Sequence, residues 1–474
     1  MKKFYITTSI AYTNGPPHLG FALELIQADV MARQKRLLGE NVWFLTGTDE
    51  HGLKVAQKAK KLTRQPQDFC NEIVAQYEKL IKEFNISNND FIRTTDQKRH
   101  WPGVRKLWAE MNKAGDIYKK DYEGLYCLGC ESFIKEKELV AGQCPYHQKK
   151  PERIKEENYF FRLSKYSDQI INILNNKTIE IIPSTKTKEM ISLAKEGLED
   201  ISFSRPKDKM EWGIPVPGDE SQLIYVWGDA LTNYLSAIGY GWAEDNFEKY
   251  WPADIHFIGK DISKFHTLIW PGMLLSVGLP LPKKVFIHGF LTADGQKMSK
   301  SIGNVIDPFV LLQKYGTDPV RYFFLREISA TEDGDFSFNK FEERYNADLA
   351  SGLGNLTARI ITLAGRIKTE NILVPDGEII NEIEKTKESC QVLLNNFKFN
   401  IALEKIWNLI AFSDHYIETK RPWETEDKKV INNLLFLLNS VAHLIEPFLP
   451  QTAVEIKRQI KEKKSQPLFR RIVS

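Results

Sequence analysis

The sequence predicts an α/β fold: a parallel sheet split by an inserted segment and followed by an all-α bundle. Three observations carry this. The first ~115 residues alternate strand and helix patterns, as parallel sheets do. That alternation lapses between Asp116 and Asp219, around a cluster of cysteines, and then returns. From about Tyr345 onward the apolar spacing is mostly helical.

In chain order, Lys3–Ile10 reads as the first strand. Leu19, Leu23, Ile26 and Val30 then fall at helical spacing, and Gly39 ends that helix. Asn41–Leu45 reads as the second strand, running into Thr46-Gly47-Thr48-Asp49-Glu50-His51-Gly52. Pro66 opens a helix with Phe69, Ile73, Tyr77, Leu80 and Phe84 on one stripe, and Asp90–Thr94 is a further strand. Beyond the insertion, Leu223–Val226, Asp254–Ile258 and Lys284–His288 read as strands of the same sheet. Helical patterns follow at Asp307–Tyr315 and Pro319–Arg326. The terminal bundle carries Leu393, Phe397, Ile401 and Leu403, then Leu434 to Leu438.

At 474 residues the chain exceeds one ordinary core, so roughly two to four domains are expected. No apolar run reaches membrane-spanning length, so no membrane partner is expected. Met1-Lys2-Lys3-Phe4 leads straight into a strand, which reads as no cleavable targeting peptide. Of the five cysteines, Cys70 and Cys390 stand alone and three cluster, which argues against a disulfide framework and for a reducing, cytoplasmic setting. The net charge is only +3, so a polyanionic partner must meet a local patch. The tail offers one in Lys457, Arg458, Lys461, Lys463, Lys464, Arg470 and Arg471; a frayed, solvated end is the alternative reading.

Cys127-x2-Cys130 and, after thirteen residues, Cys144-x2-His147 supply four ligands on two tight turns. In a reducing compartment this spacing predicts one tetrahedral zinc rather than three buried thiols and a surface histidine. Four protein ligands fill the shell, so the zinc is expected to be structural and remote from the chemistry. Glu131, Glu136, Glu138, Lys135 and Lys137 around it are mixed in sign, which does not favour a phosphate-binding ribbon.

Two segments speak to phosphate. Lys297-Met298-Ser299-Lys300-Ser301 places two lysines three residues apart, with Gly303 just after; lysine is a mobile point charge suited to phosphate oxygens. Pro16-Pro17-His18-Leu19-Gly20 lies between the first strand and first helix, where unpaired N–H groups and the helix dipole make an anion site. Together they resemble the HIGH and KMSKS signatures of class I aminoacyl-tRNA synthetases. In amino-acid activation a carboxylate attacks the α-phosphorus of ATP and needs no general base, so positioning and charge stabilisation do the work. His18, Lys297 and Lys300 are the catalytic candidates. Asp261, with Gly259 before it, lies just past a strand end, where an open α/β sheet binds ligands and a carboxylate can hold ribose hydroxyls.

The resemblance narrows to the methionyl-tRNA synthetase family of bacterial, single-knuckle type. Ile10-Ala11-Tyr12-Thr13-Asn14-Gly15, Gly47 to Gly52, Tyr225 to Tyr234 and Ile258 to Pro271 match its motifs, and the match covers nearly the whole chain. It implies a Rossmann-type catalytic domain in two halves, 1–115 and 220–290, with the zinc-binding insertion at 116–219. The KMSKS loop and a linking segment then occupy 291–344, and an anticodon-binding bundle 345–474. It implies ATP contacts from His18, Gly20, Gly259, Asp261, Lys297 and Lys300. Asp49 should pair with the substrate ammonium, and Ile10, Tyr12, Trp227, Tyr234, Ile262, His266 and Trp270 should line the methionine pocket, with Phe265 beside them. Asn355 and Arg359, with Pro422 and Trp423, match the anticodon-reading positions; for Trp423 alone, packing on the bundle is the alternative. The implied substrates are L-methionine, tRNA(Met) and ATP with Mg2+, with no DNA. The C-terminal extension of longer members is not seen, so a monomer is expected.

One position departs. The fourth HIGH residue is usually histidine and here it is Phe21, at the start of a helix and expected to lie near ligand rather than deep in a core. A ring that cannot hydrogen-bond ATP keeps a non-catalytic tRNA-binding relative as an alternative. The cysteinyl enzyme is a second one, but its zinc ligands are spread through the catalytic domain.

Overall fold

The computed structural model describes residues 1–145, 148–297, 306–366 and 374–472. The chain forms two compact units. The first comprises Met1–Pro17, Lys35–Lys79 and Ser87–His288, and the second His18–Gln34, Leu80–Ile86 and Gly289–Ser474.

In the first unit, Lys3–Thr8 is buried along nearly its whole length, the pattern of a strand covered on both faces of a parallel sheet. It pairs in parallel with Asn41–Asp49 on one side and with Ile255–Gly259 on the other. From one edge the order is Ala11–Tyr12, Asn41–Asp49, Lys3–Thr8, Ile255–Gly259, Lys284–His288 and Glu180–Ile182, with Asp90–Arg93 also on Asn41–Asp49. The strands from before and after the insertion thus meet at Lys3–Thr8. The sheet changes direction of growth there, and the crevice beyond its carboxyl end is where such sheets bind ligands.

Two expectations change. Leu223–Val226 does not join this sheet: the strand is Asp219–Ile224, it pairs antiparallel with Ser204–Pro206 and Pro215–Val216, and Val226 already begins a helix. The place at the sheet edge is taken instead by Glu180–Ile182, three residues from within the insertion, parallel to Lys284–His288. The rest of the insertion has its own antiparallel sheet, in which the long strands Ile117–Cys127 and Glu152–Phe161 pair along most of their length.

In the second unit a small sheet orders Gln296–Lys297, Leu291–Ala293 and Gly334–Phe336, so Lys297 leaves a strand. Asp307 caps the helix Pro308–Tyr315, accepting from Phe309 N at 2.8 Å. The helices Asn355–Arg366, Gly377–Asn395, Phe399–Lys420, Lys428–Ile445 and Pro450–Glu462 form the α-bundle. Arg321 is fully buried and spends its guanidinium on the carbonyls of Phe84, Pro447 and Phe448 and on the Asp29 carboxylate at 2.8 Å. A buried arginine is tolerable because each of its three guanidinium nitrogens finds a partner in this way.

The tail is docked rather than frayed. Ile472 and Asn346 exchange two hydrogen bonds, and Phe469 meets the edge of Tyr345. Two of its cations are paired locally, Lys457 with Glu446 and Arg458 with Glu455 and Glu462. Among the described residues, no helix is long and apolar enough to cross a membrane.

Candidate active site

Beyond the carboxyl end of Lys3–Thr8 the chain turns through Ile10 into the two-residue strand Ala11–Tyr12, which sets Tyr12 opposite Asp49 in parallel register. Asp49 is the last residue of its strand and is buried, and its Oδ1 has no hydrogen-bond partner among the described residues. Burial, then the carboxylates of Asp229, Glu131 and Glu50, hold its carboxyl well above the usual range, while the His51 N–H pulls the other way. A buried carboxylate short of a donor is costly until a cation reaches it.

The aromatic candidates sit on helices packed in the core of the first unit. The Tyr234 hydroxyl lies 2.8 Å from His266 Nε2, and His266 Nδ1 lies 3.0 Å from the Ile262 carbonyl. A carbonyl only accepts, so Nδ1 carries the proton, Nε2 accepts, and the tyrosine donates. Tyr234, His266 and Trp270 are all buried, with Tyr234 6.0 Å from Trp270. His266 sits on the π-helical stretch Phe265–Ile269, an irregularity that often marks functional sites. Next to it, Phe265 stacks on Trp227 at 3.6 Å between centroids and 10° between planes, and both rings are half-buried. Ile10 and Ile262 pack against the same apolar core.

Three residues that sequence reasoning left without a role brace this wall. Asp229 receives His51 Nδ1 and His100 Nε2, each at 2.7 Å, and His100 Nδ1 meets Ser236 Oγ at 2.7 Å. Burial works to raise the Asp229 carboxyl, but the two histidines hold it below its ordinary value. The loop after Asp49 is thereby pinned to the helix that carries Trp227. Asp229 stands inside a quoted motif, which is the signal that could have found it. Cys70, 3.5 Å from Thr13 Oγ1, is a poor nucleophile, because burial pushes its thiol up to about 12.

Of the phosphate candidates, Asp261 is exposed on the turn Lys260–Ile262 directly after Ile255–Gly259. A Cβ on Gly259 would lie 2.8 Å from Asp261 Oδ1, so only glycine leaves that carboxylate its place. In the second unit His18 caps the helix Leu19–Leu37. Its carbonyl accepts from Phe21 N and Ala22 N, and its Nδ1 accepts from Phe21 N at 3.3 Å. In the neutral ring this puts the proton on Nε2, the nitrogen that can donate to an anion. Gly20 permits the approach, since a Cβ there would come within 3.1 Å of His18 Nδ1. Phe21 is buried at 7% exposure, which corrects the expectation that it lies outside the core. Lys297 is placed by its strand, whereas Lys300 and the rest of the lysine motif lie outside the described residues.

The Sγ atoms of Cys127, Cys130 and Cys144 lie within 4.8 Å of one another, with Cys130 and Cys144 at 3.5 Å. Burial, then the Cys127 thiol, push the Cys130 thiol well up, so charged sulfurs coexist here only around a cation. The donor set fits zinc; His147 lies outside the described residues. The knuckle touches two of the residues that the resemblance assigns to the methionine pocket. The Trp227 indole N–H donates to the Cys130 carbonyl at 3.3 Å, and Tyr12 Oη donates to Glu131.

In the bundle, Asn355 is exposed at the start of its helix, and Arg359 follows one turn later. Arg359 pairs with Asp414 and Glu418 on Phe399–Lys420, the helix that runs into Arg421-Pro422-Trp423. Pro422 is buried, whereas Trp423 is 44% exposed.

The family described as tRNA synthetases class I (M) matches residues 4–153 and 147–361, and the anticodon-binding domain of tRNA ligase matches 376–469. The methionine–tRNA ligase of Thermotoga maritima is 43% identical over 475 residues, covering 97% of this chain and 75% of that protein. That of Brucella suis biovar 1 is 40% identical over 492 residues, covering 98% and 95%. Mycobacterium tuberculosis methionyl-tRNA synthetase in complex with methionyl-adenylate is 37% identical, with a TM-score of 0.92 over 96% of this chain and 93% of that one. The chain belongs to the methionyl-tRNA synthetase family of class I aminoacyl-tRNA synthetases.

Proposed function

We propose that this chain activates L-methionine with ATP, giving methionyl-adenylate and pyrophosphate, and then transfers methionine to the 3′-terminal adenosine of tRNA(Met). The observation that carries the substrate assignment is Asp49: a buried carboxylate with one oxygen unpartnered among the described residues, opposite Tyr12 at the carboxyl end of its strand. An amino acid brings the missing ammonium, and a flexible thioether suits aromatic walls. Ile10, Tyr12, Trp227, Tyr234, Ile262, His266 and Trp270 would line that wall.

The methionine carboxylate is already an anion and attacks the α-phosphorus unaided. The protein's task is alignment and charge stabilisation. His18 Nε2 would donate to a phosphate oxygen at the helix start, with Gly20 letting the chain approach closely. Lys297 and Lys300 would follow the leaving pyrophosphate, which departs with its Mg2+. Asp261, given room by Gly259, would hold the ribose. Phe21 contributes packing, so the ATP contact usually made from that position is dispensable in this reading.

Cys127, Cys130, Cys144 and His147 would hold one zinc, which supplies a cross-link between two turns and no open coordination position. Asn355, Arg359, Pro422 and Trp423 would read the anticodon, with the indole as a stacking platform and the polar groups on base edges. The protein would act as a monomer in the cytoplasm, with the tRNA and ATP pools. The test is ATP-dependent charging of a CAU-anticodon tRNA with labelled methionine. Charging with methionine alone is expected, and no charging at any protein concentration overturns the reading.

A further inference from the structure

Glu131 is placed at some expense. Its backbone is left-handed, with φ at +50°, and its side chain is 3% exposed. Neither condition suits an acidic residue unless strong partners hold it. Those partners come from across the first unit. Tyr12 Oη and Lys54 N donate to Oε1, the latter at 2.7 Å, and Leu53 N donates to Oε2 at 3.2 Å. Leu53 and Lys54 open the helix Leu53–Lys61, and Gly52 before it has no side chain with which to cap it. Glu131 therefore caps that helix from a distant part of the sequence. The fit leaves no slack: a Cβ on Gly52 would lie 2.4 Å from Glu131 Oε2 and 2.8 Å from Tyr12 Oη.

The residue before it, Cys130, gives its sulfur to the metal cluster and its carbonyl to the Trp227 indole at 3.3 Å. One dipeptide of the knuckle thus holds two walls of the methionine pocket. It also fixes the first turn after Asp49-Glu50-His51-Gly52.

We propose that Glu131 is a positioning residue for methionine: it fixes the Tyr12 ring and the helix start that follows Asp49, and so couples the folded knuckle to substrate affinity. This rests on the methionine reading above. Glu131 touches neither reacting atom. Its removal acts through Tyr12 and the Asp49 loop, and falls on methionine rather than ATP.

The experiment measures pyrophosphate exchange by the full chain, with KM for methionine and for ATP determined separately. Bound zinc and Tm are recorded for every variant. In Glu131→Ala, methionine KM should rise about ten- to a hundredfold while ATP KM stays within about twofold and zinc content is unchanged. Glu131→Gln keeps an oxygen for Tyr12 and Lys54 and should stay within about threefold of the parent. In a Tyr12→Phe background the Glu131→Ala effect should shrink at least threefold, because its principal partner has gone. Equal rises in both KM values, an undiminished effect beside Tyr12→Phe, or no effect at all overturns the role. If Glu131→Ala does not fold, Glu131→Gln and Tyr12→Phe decide. A near-parent methionine KM in the first and a selective rise in the second support the role, and any other pairing overturns it. A parent without methionine-dependent exchange overturns the functional reading itself, and this proposal with it.

Discussion

Tyr12 and Asp49 stand opposite each other in parallel register, one at the end of a two-residue strand and the other at the end of a nine-residue strand. Their side chains belong to segments 37 positions apart in sequence, yet the sheet makes them one corner. Among the described residues Asp49 Oδ1 has no donor, and the Tyr12 hydroxyl donates its hydrogen bond to Glu131. The corner therefore needs a cation, and the reading of the whole site turns on which one.

Replacing Asp49 by alanine should weaken methionine binding by about 3–5 kcal/mol, the scale of breaking a buried pair by removing one partner. ATP binding should hardly change. Exchange kinetics with each substrate varied in turn measure this, and equal losses for both would show that Asp49 does not meet the ammonium.

The same residue sets a pH dependence. Burial, with Asp229, Glu131 and Glu50 nearby, raises its carboxyl, so the free protein takes up a proton there above the usual carboxylate range. Methionine KM should climb as the pH falls through that raised value, and Asp49→Asn should abolish the climb. For stability the sign is reversed. The folded state binds this proton more tightly than the unfolded chain, so ionised Asp49 costs stability once the pH passes about 3.9. Calorimetry at neutral pH should find Asp49→Asn more stable than the parent in the absence of methionine.

Phe21 is a packed residue, and Phe21→His should lose about 1–3 kcal/mol of stability, since a polar ring is buried where an aromatic one fits. Denaturant melts measure this. A variant as stable as the parent would mean the site tolerates the histidine, and the parent should be active without it.

Lys300→Ala should depress the exchange rate by orders of magnitude with a smaller change in methionine KM, the signature of a group that acts on the leaving pyrophosphate in the transition state. Near-normal turnover would remove the lysine from the mechanism.

Trp423→Ala should leave exchange intact, because activation needs no anticodon. The indole is 44% exposed, so the bundle should keep its Tm. Loss of one stacking platform is worth about 1–3 kcal/mol, so charging at sub-saturating tRNA should fall roughly ten- to a hundredfold. A collapse of the bundle would instead assign Trp423 to packing.

The parts legible in the sequence were those with local signatures. Strands buried on both faces, such as Lys3–Thr8, and cysteines at x2 spacing announce themselves over a few residues. What stayed hidden depends on long-range placement. Glu180–Ile182 is too short to show a period, and its membership of the sheet exists only through Lys284–His288. Leu223 and Ile224 are apolar enough for a buried parallel strand, but periodicity cannot reveal antiparallel partners. Glu131 read as one charge of a mixed surface, because its burial follows from a left-handed turn and from a tyrosine 119 positions upstream. Asp229, His51 and His100 form a network only after three segments meet.

The most direct measurement is ATP–pyrophosphate exchange by the purified chain, with each of the proteinogenic amino acids offered alone. Strong exchange with methionine and only background with the others is the expected result. Exchange led by another amino acid, or none with methionine, would contradict it.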